Sequence, residues 1–213
     1  LPGDAGREVR CPAPVLIRPN LLDAGLCRRL IERFETGEHV QGAMASIDAD
    51  GGAINRIDAD KKHRRDLTLD PAEPLHDAVM AALSNRLAPE IAKAFQVQVA
   101  HVDRILVARY DDTGGYFRRH RDNSSAHQAY REFALSVNLN AGEYDGGRLL
   151  FPEYDDHRYD PPTGAGMVFS ASLLHEAAPI VRGRRYVLLT FLHSPTAEAR
   201  RQAALASGVT EPA

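Results

Sequence analysis

The hydrophobic positions of the first half of the chain recur at helical spacing. From Asn20 to Phe34, Leu22, Leu26, Leu30, Ile31 and Phe34 form one stripe behind Asn20 as a cap, which predicts an amphipathic helix that must pack on something. A second stripe, Leu75, Val79, Leu83, Leu87 and Ile91, predicts helix from Pro74 to Phe95, broken or kinked by Pro89. Between them, Ala43 to Asp70 is rich in Gly and Asp and reads as a long loop region with short strands. Its basic run Lys61 to Arg65 reads as a solvated charge cluster, the alternative being a lid that meets an acidic substrate.

After Gln96 the period changes to two. Val97 to Tyr110, Glu132 to Asn140, Arg148 to Phe151, Met167 to Ser170 and Arg185 to His193 are short, β-branched or aromatic, and separated by Gly, Pro, Asp and Asn. Helices first and strands afterwards predict a mainly β fold, a jelly-roll barrel buttressed on one face by N-terminal helices. At 213 residues, one domain is expected. It spans 15–195, with helical support over 20–95 and a β-barrel core over 97–193. Residues 1–14 read as a linker-like segment and 196–213 as a C-terminal helix or tail. The chain starts at Leu1 without a methionine, so a fragment or processed chain with a covalently linked upstream domain is expected.

Composition narrows the partners. With 44% apolar and 26% charged residues the chain has the balance of an ordinary soluble protein, and it contains no run of about 18 apolar residues that would span a membrane. A net charge of -3 and a pI near 6.3 give no general attraction to phosphate backbones, so nucleic acid is not the expected partner. Cys11 and Cys27 are too few for a disulfide scaffold, and a reduced, cytoplasmic protein fits best.

Candidate chemistry starts from His-x-Asp pairs, which on an extended segment point both side chains to one side. About one such pair arises by chance in a chain of this make-up, and two occur. His101 and Asp103 lie inside a regular alternating stretch and read as surface hydrogen-bonding groups. His120 and Asp122 follow Gly114, Gly115, Tyr116 and Phe117, where the backbone can turn sharply and aromatics can wall a pocket. An iron(II) site needs a third ligand, commonly a second His, on the same face. His175, just after the strand ending at Ser170, supplies one. Ten residues later Arg184 and Arg185 enter a strand, where only one can face inward, and a buried arginine there calls for a carboxylate partner.

Three blocks in order, Tyr110 with Gly114, Phe117, His120 and Asp122, then Leu135 to Asn140 with Gly146, Gly147, Leu149 and Phe151, then His175 with Pro179, Gly183 and Arg185, resemble the prolyl 4-hydroxylase-like branch of the 2-oxoglutarate/iron(II) dioxygenases. The resemblance covers roughly Val97 to His193. It implies a double-stranded β-helix, with His120, Asp122 and His175 as iron ligands, Arg185 on the distal carboxylate of 2-oxoglutarate, and Tyr110 lining that pocket. Asn138 falls where some relatives carry a tyrosine that touches the same carboxylate. The implied reaction is a hydroxylation coupled to release of succinate and CO₂, with Fe(II), 2-oxoglutarate and O₂ as reactants and ascorbate as an accessory.

The chain is also similar to oxygenase modules found behind a peroxiredoxin-like domain. A non-catalytic metal-binding barrel acting as a sensor and a zinc hydrolase remain the alternatives. A nucleic-acid demethylase of this superfamily would show Arg-x-Asn-x-Thr-x-Arg after the distal histidine, and Val181 to Val187 does not. The acceptor is left open among peptidyl proline, another protein side chain and a small metabolite.

Overall fold

The computed structural model describes residues 11–47, 53–154, 156–207 and 209, so most of the linker-like segment and the end of the tail lie outside the described residues. The N-terminal half gives β1 (Leu16–Arg18), α1 (Ala24–Thr36), β2 (Val40–Gln41), β3 (Met44–Ile47), β4 (Ala53–Arg56), β5 (Lys62–His63), β6 (Arg65–Thr68), α2 (Pro74–Ala82) and α3 (Ala88–Phe95). Then come β7 (His101–Val102), β8 (Leu106–Asp111), β9 (Tyr116–His120), β10 (Phe133–Asn138), β11 (Tyr144–Gly146) and β12 (Leu149–Leu150). The chain closes with β13 (Gly166–Ser170), β14 (His175–Ala177), β15 (Ile180–His193) and α4 (Pro195–Ala206).

The larger sheet runs β1-β13-β10-β15-β8-β6-β2, with β7 and β11 also paired to β15, and the smaller runs β12-β14-β9-β5. Every pair is antiparallel. This is the double-stranded β-helix, and two apolar cores hold it together. One lies between the helices and the larger sheet, where Leu26, Leu30 and Phe34 meet Val107, Leu135 and Leu188. The other fills the barrel with Phe151, Met167, Phe169 and Val187. Alternation along β15 feeds both, since Leu188 serves the first core and Val187 the second.

Two local expectations change. Asp23, not Asn20, caps α1, accepting from Leu26 N at 2.8 Å, while Asn20 turns the chain beforehand at φ 52. The short strands expected within Ala43 to Asp70 are present among its described residues, but they join sheets rather than stand apart in a loop. β6 is an interior strand of the larger sheet, β5 edges the smaller one, and β3 pairs with β4 as a hairpin. The sheets therefore draw strands from before residue 97. Between α2 and α3 a π-turn spans Leu83–Leu87, and Pro89 lies in the first turn of α3, where its missing N–H costs nothing. No helix among the described residues is long and apolar enough to cross a membrane.

Candidate metal centre and anion pocket

β9 and β14 run antiparallel with His120 and His175 as directly opposed residues, which sets their rings 4.2 Å apart between centroids. Asp122 is not on the strand, as the two-residue spacing had suggested, but in the turn after it. There its backbone N–H donates to Ala171 O at 2.9 Å. The turn brings Asp122 Oδ1 to 3.3 Å from His120 Nε2 and Oδ2 to 3.4 Å from His175 Nε2. One donor atom from each residue lies within 4.8 Å of the others.

Backbone carbonyls set the tautomers. His120 Nδ1 donates to Arg118 O at 2.8 Å and His175 Nδ1 to Leu173 O at 3.0 Å, so both Nε2 lone pairs face Asp122. Phe117 stacks on the His120 ring at 3.5 Å, and Phe169 meets His175 edge-on at 4.8 Å. Burial pushes the His175 pKa down, which keeps its imidazole neutral. Burial alone would raise Asp122, but His175 and His120 outweigh it and hold the carboxyl at about 2. Two neutral imidazoles and an ionised carboxylate on one face are the donor set of a facial triad, so these residues fit a divalent iron.

The other His-x-Asp pair builds something different. His101 stacks on His193 at 5.2 Å with the rings 15° apart, and with Glu198 the two make a second group of possible donor atoms, all within 4.8 Å of one another. His193 Nε2 meets Glu198 on α4 at 2.8 Å. Asp103 is not a surface group: it accepts from Arg131 at 2.9 Å and from the Tyr130 hydroxyl at 3.1 Å.

Farther along the barrel, β15 pairs with β8 so that Arg185 opposes Tyr110. Arg185 is 3% exposed, whereas Arg184 faces solvent. Its Nε and Nη2 both donate to Asn138 Oδ1, at 3.2 and 2.8 Å. Asn138 is oriented by donating its own amide to Pro161 O at 2.7 Å. Tyr144 and Asp160 complete this support, the tyrosine donating to Asp160 Oδ1 at 3.1 Å. Among the described residues no carboxylate lies within 4.0 Å of the Arg185 guanidinium, so its buried charge is met there by a neutral amide oxygen.

One open cavity takes in His120, Asp122, His175, Tyr110 and Arg185. Asn138, Tyr144 and Asp160 were not singled out as supports of Arg185, because an amide or a tyrosine on an alternating strand carries no sign of which neighbour it will meet.

The basic run is the largest correction. Strand alternation sends Lys61 and Arg65 to solvent but buries Lys62 and Arg64, at 4% and 8% exposure, on the cavity wall. Arg64 Nη1 donates to the Tyr110 hydroxyl at 3.0 Å.

An open triad beside a buried anion seat, both inside facing β-sheets, is the layout of the mononuclear non-haem iron oxygenases. The family model of the 2OG-Fe(II) oxygenase superfamily matches residues 105–193 of the chain. A PKHD-type hydroxylase from Synechococcus sp. (strain JA-2-3B'a(2-13)) is 29% identical over 126 residues, 56% of this chain and 54% of that protein. Another, from Synechococcus elongatus, is 26% identical over 180 residues, 82% and 76% of the two chains. The chain thus spans about half the length of the first relative.

Two solved structures share the fold. A Pseudomonas putida prolyl-4-hydroxylase superposes with a TM-score of 0.62 at 20% identity over 85% of this chain and 93% of that one. A Trichoplax adhaerens prolyl hydroxylase, in complex with a hypoxia inducible factor peptide fragment, gives 0.65 at 18% over 89% and 86%.

Proposed function

We propose that the chain hydroxylates an acceptor with O₂ and 2-oxoglutarate, releasing succinate and CO₂. His120, Asp122 and His175 would hold Fe(II), Arg185 would bind the distal carboxylate of 2-oxoglutarate, and Tyr110 would line its pocket. The observation that carries the reading is the shared cavity: three convergent donors with fixed tautomers at one place, and a buried guanidinium without a carboxylate partner at another. Iron, when bound, supplies the redox chemistry that couples the decarboxylation to oxygen transfer.

The protein's own contribution is positional. The backbone carbonyls of Arg118 and Leu173 aim the imidazoles, Asn138 fixes the guanidinium fork, and the Phe117 and Phe169 rings keep water from the inner wall. Ascorbate belongs to this reading as the reductant that keeps the iron ferrous. A reducing, cytoplasmic setting belongs to it too, supported by the free thiols of Cys11 and Cys27. For the acceptor, the peptide bound to the Trichoplax neighbour supports a protein side chain such as peptidyl proline; a small metabolite is the other candidate.

The test is succinate release from 2-oxoglutarate by the purified protein with Fe(II), with and without ascorbate, over candidate peptides and metabolites. Slow release without acceptor and faster release with one is the expected result. Tight binding of metal and 2-oxoglutarate with no succinate under any condition would leave a sensor instead.

A further inference from the structure

We propose that the acceptor is itself an anion, anchored through a carboxylate by Lys62 and Arg64. This rests on the hydroxylase reading above and adds the class of substrate. Among the described residues the cavity wall carries six cationic side chains, Lys62, Arg64, Arg104, Arg121, Arg131 and Arg185, against a single carboxylate, Asp122, although the chain as a whole is net acidic. Some of these charges are already answered. Arg131 pairs with Asp103 at 2.9 Å and Arg121 with Glu153 at 2.6 Å, and Arg185 is the seat for 2-oxoglutarate.

Lys62 and Arg64 are left sharing one partner. Asp66, 8% exposed, receives Lys62 Nζ at 3.3 Å and faces Arg64 Nε at 2.7 Å, so two buried cations lean on one buried carboxylate. The remaining Lys62 contact is a neutral carbonyl, Ala43 O at 2.7 Å. Arg104, exposed on the cavity lining, adds positive charge and has no ion-pair partner among the described residues. Burial, and then Arg64 beside it, lower the Lys62 pKa to about 7, and the shared Asp66 only partly offsets them. A carboxylate arriving there would restore the balance and gain charge-assisted hydrogen bonds.

Position gives the surplus a use. Lys62 Nζ and the Arg64 guanidinium lie 5.3 and 5.6 Å from the centre of the Phe117 ring, and that ring stacks on His120. The cations therefore stand one aromatic ring away from the metal face. An acceptor held there by its carboxylate would have carbon atoms a few bonds along its chain beside the triad, with entropy of approach already lost on binding.

The experiment uses the full chain loaded with Mn(II) and N-oxalylglycine, an inert 2-oxoglutarate analogue that fills the Arg185 seat. Calorimetry then compares acetyl-aspartate with acetyl-asparagine amide, and capped Asp-Pro-Asp with capped Asn-Pro-Asn. In at least one pair the acidic member is expected to bind about 10-fold tighter or more, and Lys62→Met to remove most of that difference. The responding pair separates a small metabolite from a peptide. Equal affinities within both pairs would overturn the inference, as would a preference untouched by Lys62→Met. So would a Lys62→Met protein that loses N-oxalylglycine while keeping its preference, because the cations would then serve the co-substrate. Should Lys62→Met not fold, Lys62→Gln replaces it, and the wild-type comparison decides alone if neither folds. Failure of N-oxalylglycine to bind the wild type would instead sink the hydroxylase reading.

Discussion

Arg185 and Asn138 make a two-pronged contact in which a neutral amide oxygen receives both Nε and Nη2 of a buried guanidinium. An amide orients the arginine without neutralising it, and so keeps its charge for a ligand. Asn138→Asp should therefore act as an internal competitor. Its carboxylate would satisfy Arg185, and affinity for 2-oxoglutarate in the Mn(II)-loaded protein should fall by roughly 10–100-fold, the range of a supporting-contact loss, with metal affinity retained. Calorimetric titration checks this, and an unchanged affinity would place the anion seat elsewhere.

The triad leads to a second prediction. A ligand that binds only the folded chain stabilises it by about 2.7 kcal/mol at 100 times its dissociation constant. For a chain of this size that is a rise in Tm of roughly 5–10 °C. Fe(II) under anaerobic conditions, or Mn(II), should produce such a rise in the native chain. Asp122→Asn, which keeps the shape and removes the anionic donor, should lose most of it. A full metal-dependent shift in that variant would show that the ion sits at another site.

The sequence patterns exposed the β half of this fold because short β-branched and aromatic runs bounded by turn residues mark strands, and β10, buried along its whole length between the two cores, is one such run. They singled out His120 and Asp122 through the glycines and aromatics beside them, and these two converge with His175. What they hid was hidden for physical reasons. Asp122 sits in a turn whose course is set by Ala171, a contact between residues far apart in the chain. Lys62 and Arg64 looked like solvated charges because burying a cation is costly, and only the inward Asp66 makes it tolerable. The Lys-x-Arg-x-Asp alternation was present in the sequence, but a period-two pattern of charges reads equally as the wet face of a strand.

Asp66 should accordingly be worth more to stability than an ordinary aspartate. Burial pushes its pKa up, yet Arg64 and Lys62 more than offset this and hold it below the usual value. With the folded pKa depressed, its contribution is complete above about pH 4 and is lost as pH falls through the folded value. Asp66→Asn would strand two buried cations, a change that costs about 3–5 kcal/mol when one partner of a buried pair is removed. Urea denaturation at neutral pH should show that loss, and the variant's stability should fall less steeply than the native chain's on acidification. A variant within 1 kcal/mol of native would mean that Lys62 gives up its proton to compensate, and a pH titration of the variant would reveal it.

Gly147 ties the backbone to the anion seat. It adopts φ 66, and a Cβ built there would lie 2.4 Å from Ile180 Cδ1 and 2.9 Å from Arg185 Cδ. Alanine is thus strained twice, by its left-handed backbone and by contact with the stem of the arginine. Because Asn138 and Tyr144 hold the far side of the guanidinium, the arginine has little room to yield, and the methyl group should shift the fork away from its resting position. Gly147→Ala should weaken 2-oxoglutarate binding several-fold while leaving metal affinity near native, since His120, Asp122 and His175 sit on other elements. Parallel titrations with Mn(II) and with 2-oxoglutarate separate the two effects, and equal losses in both would point to general misfolding rather than a displaced arginine.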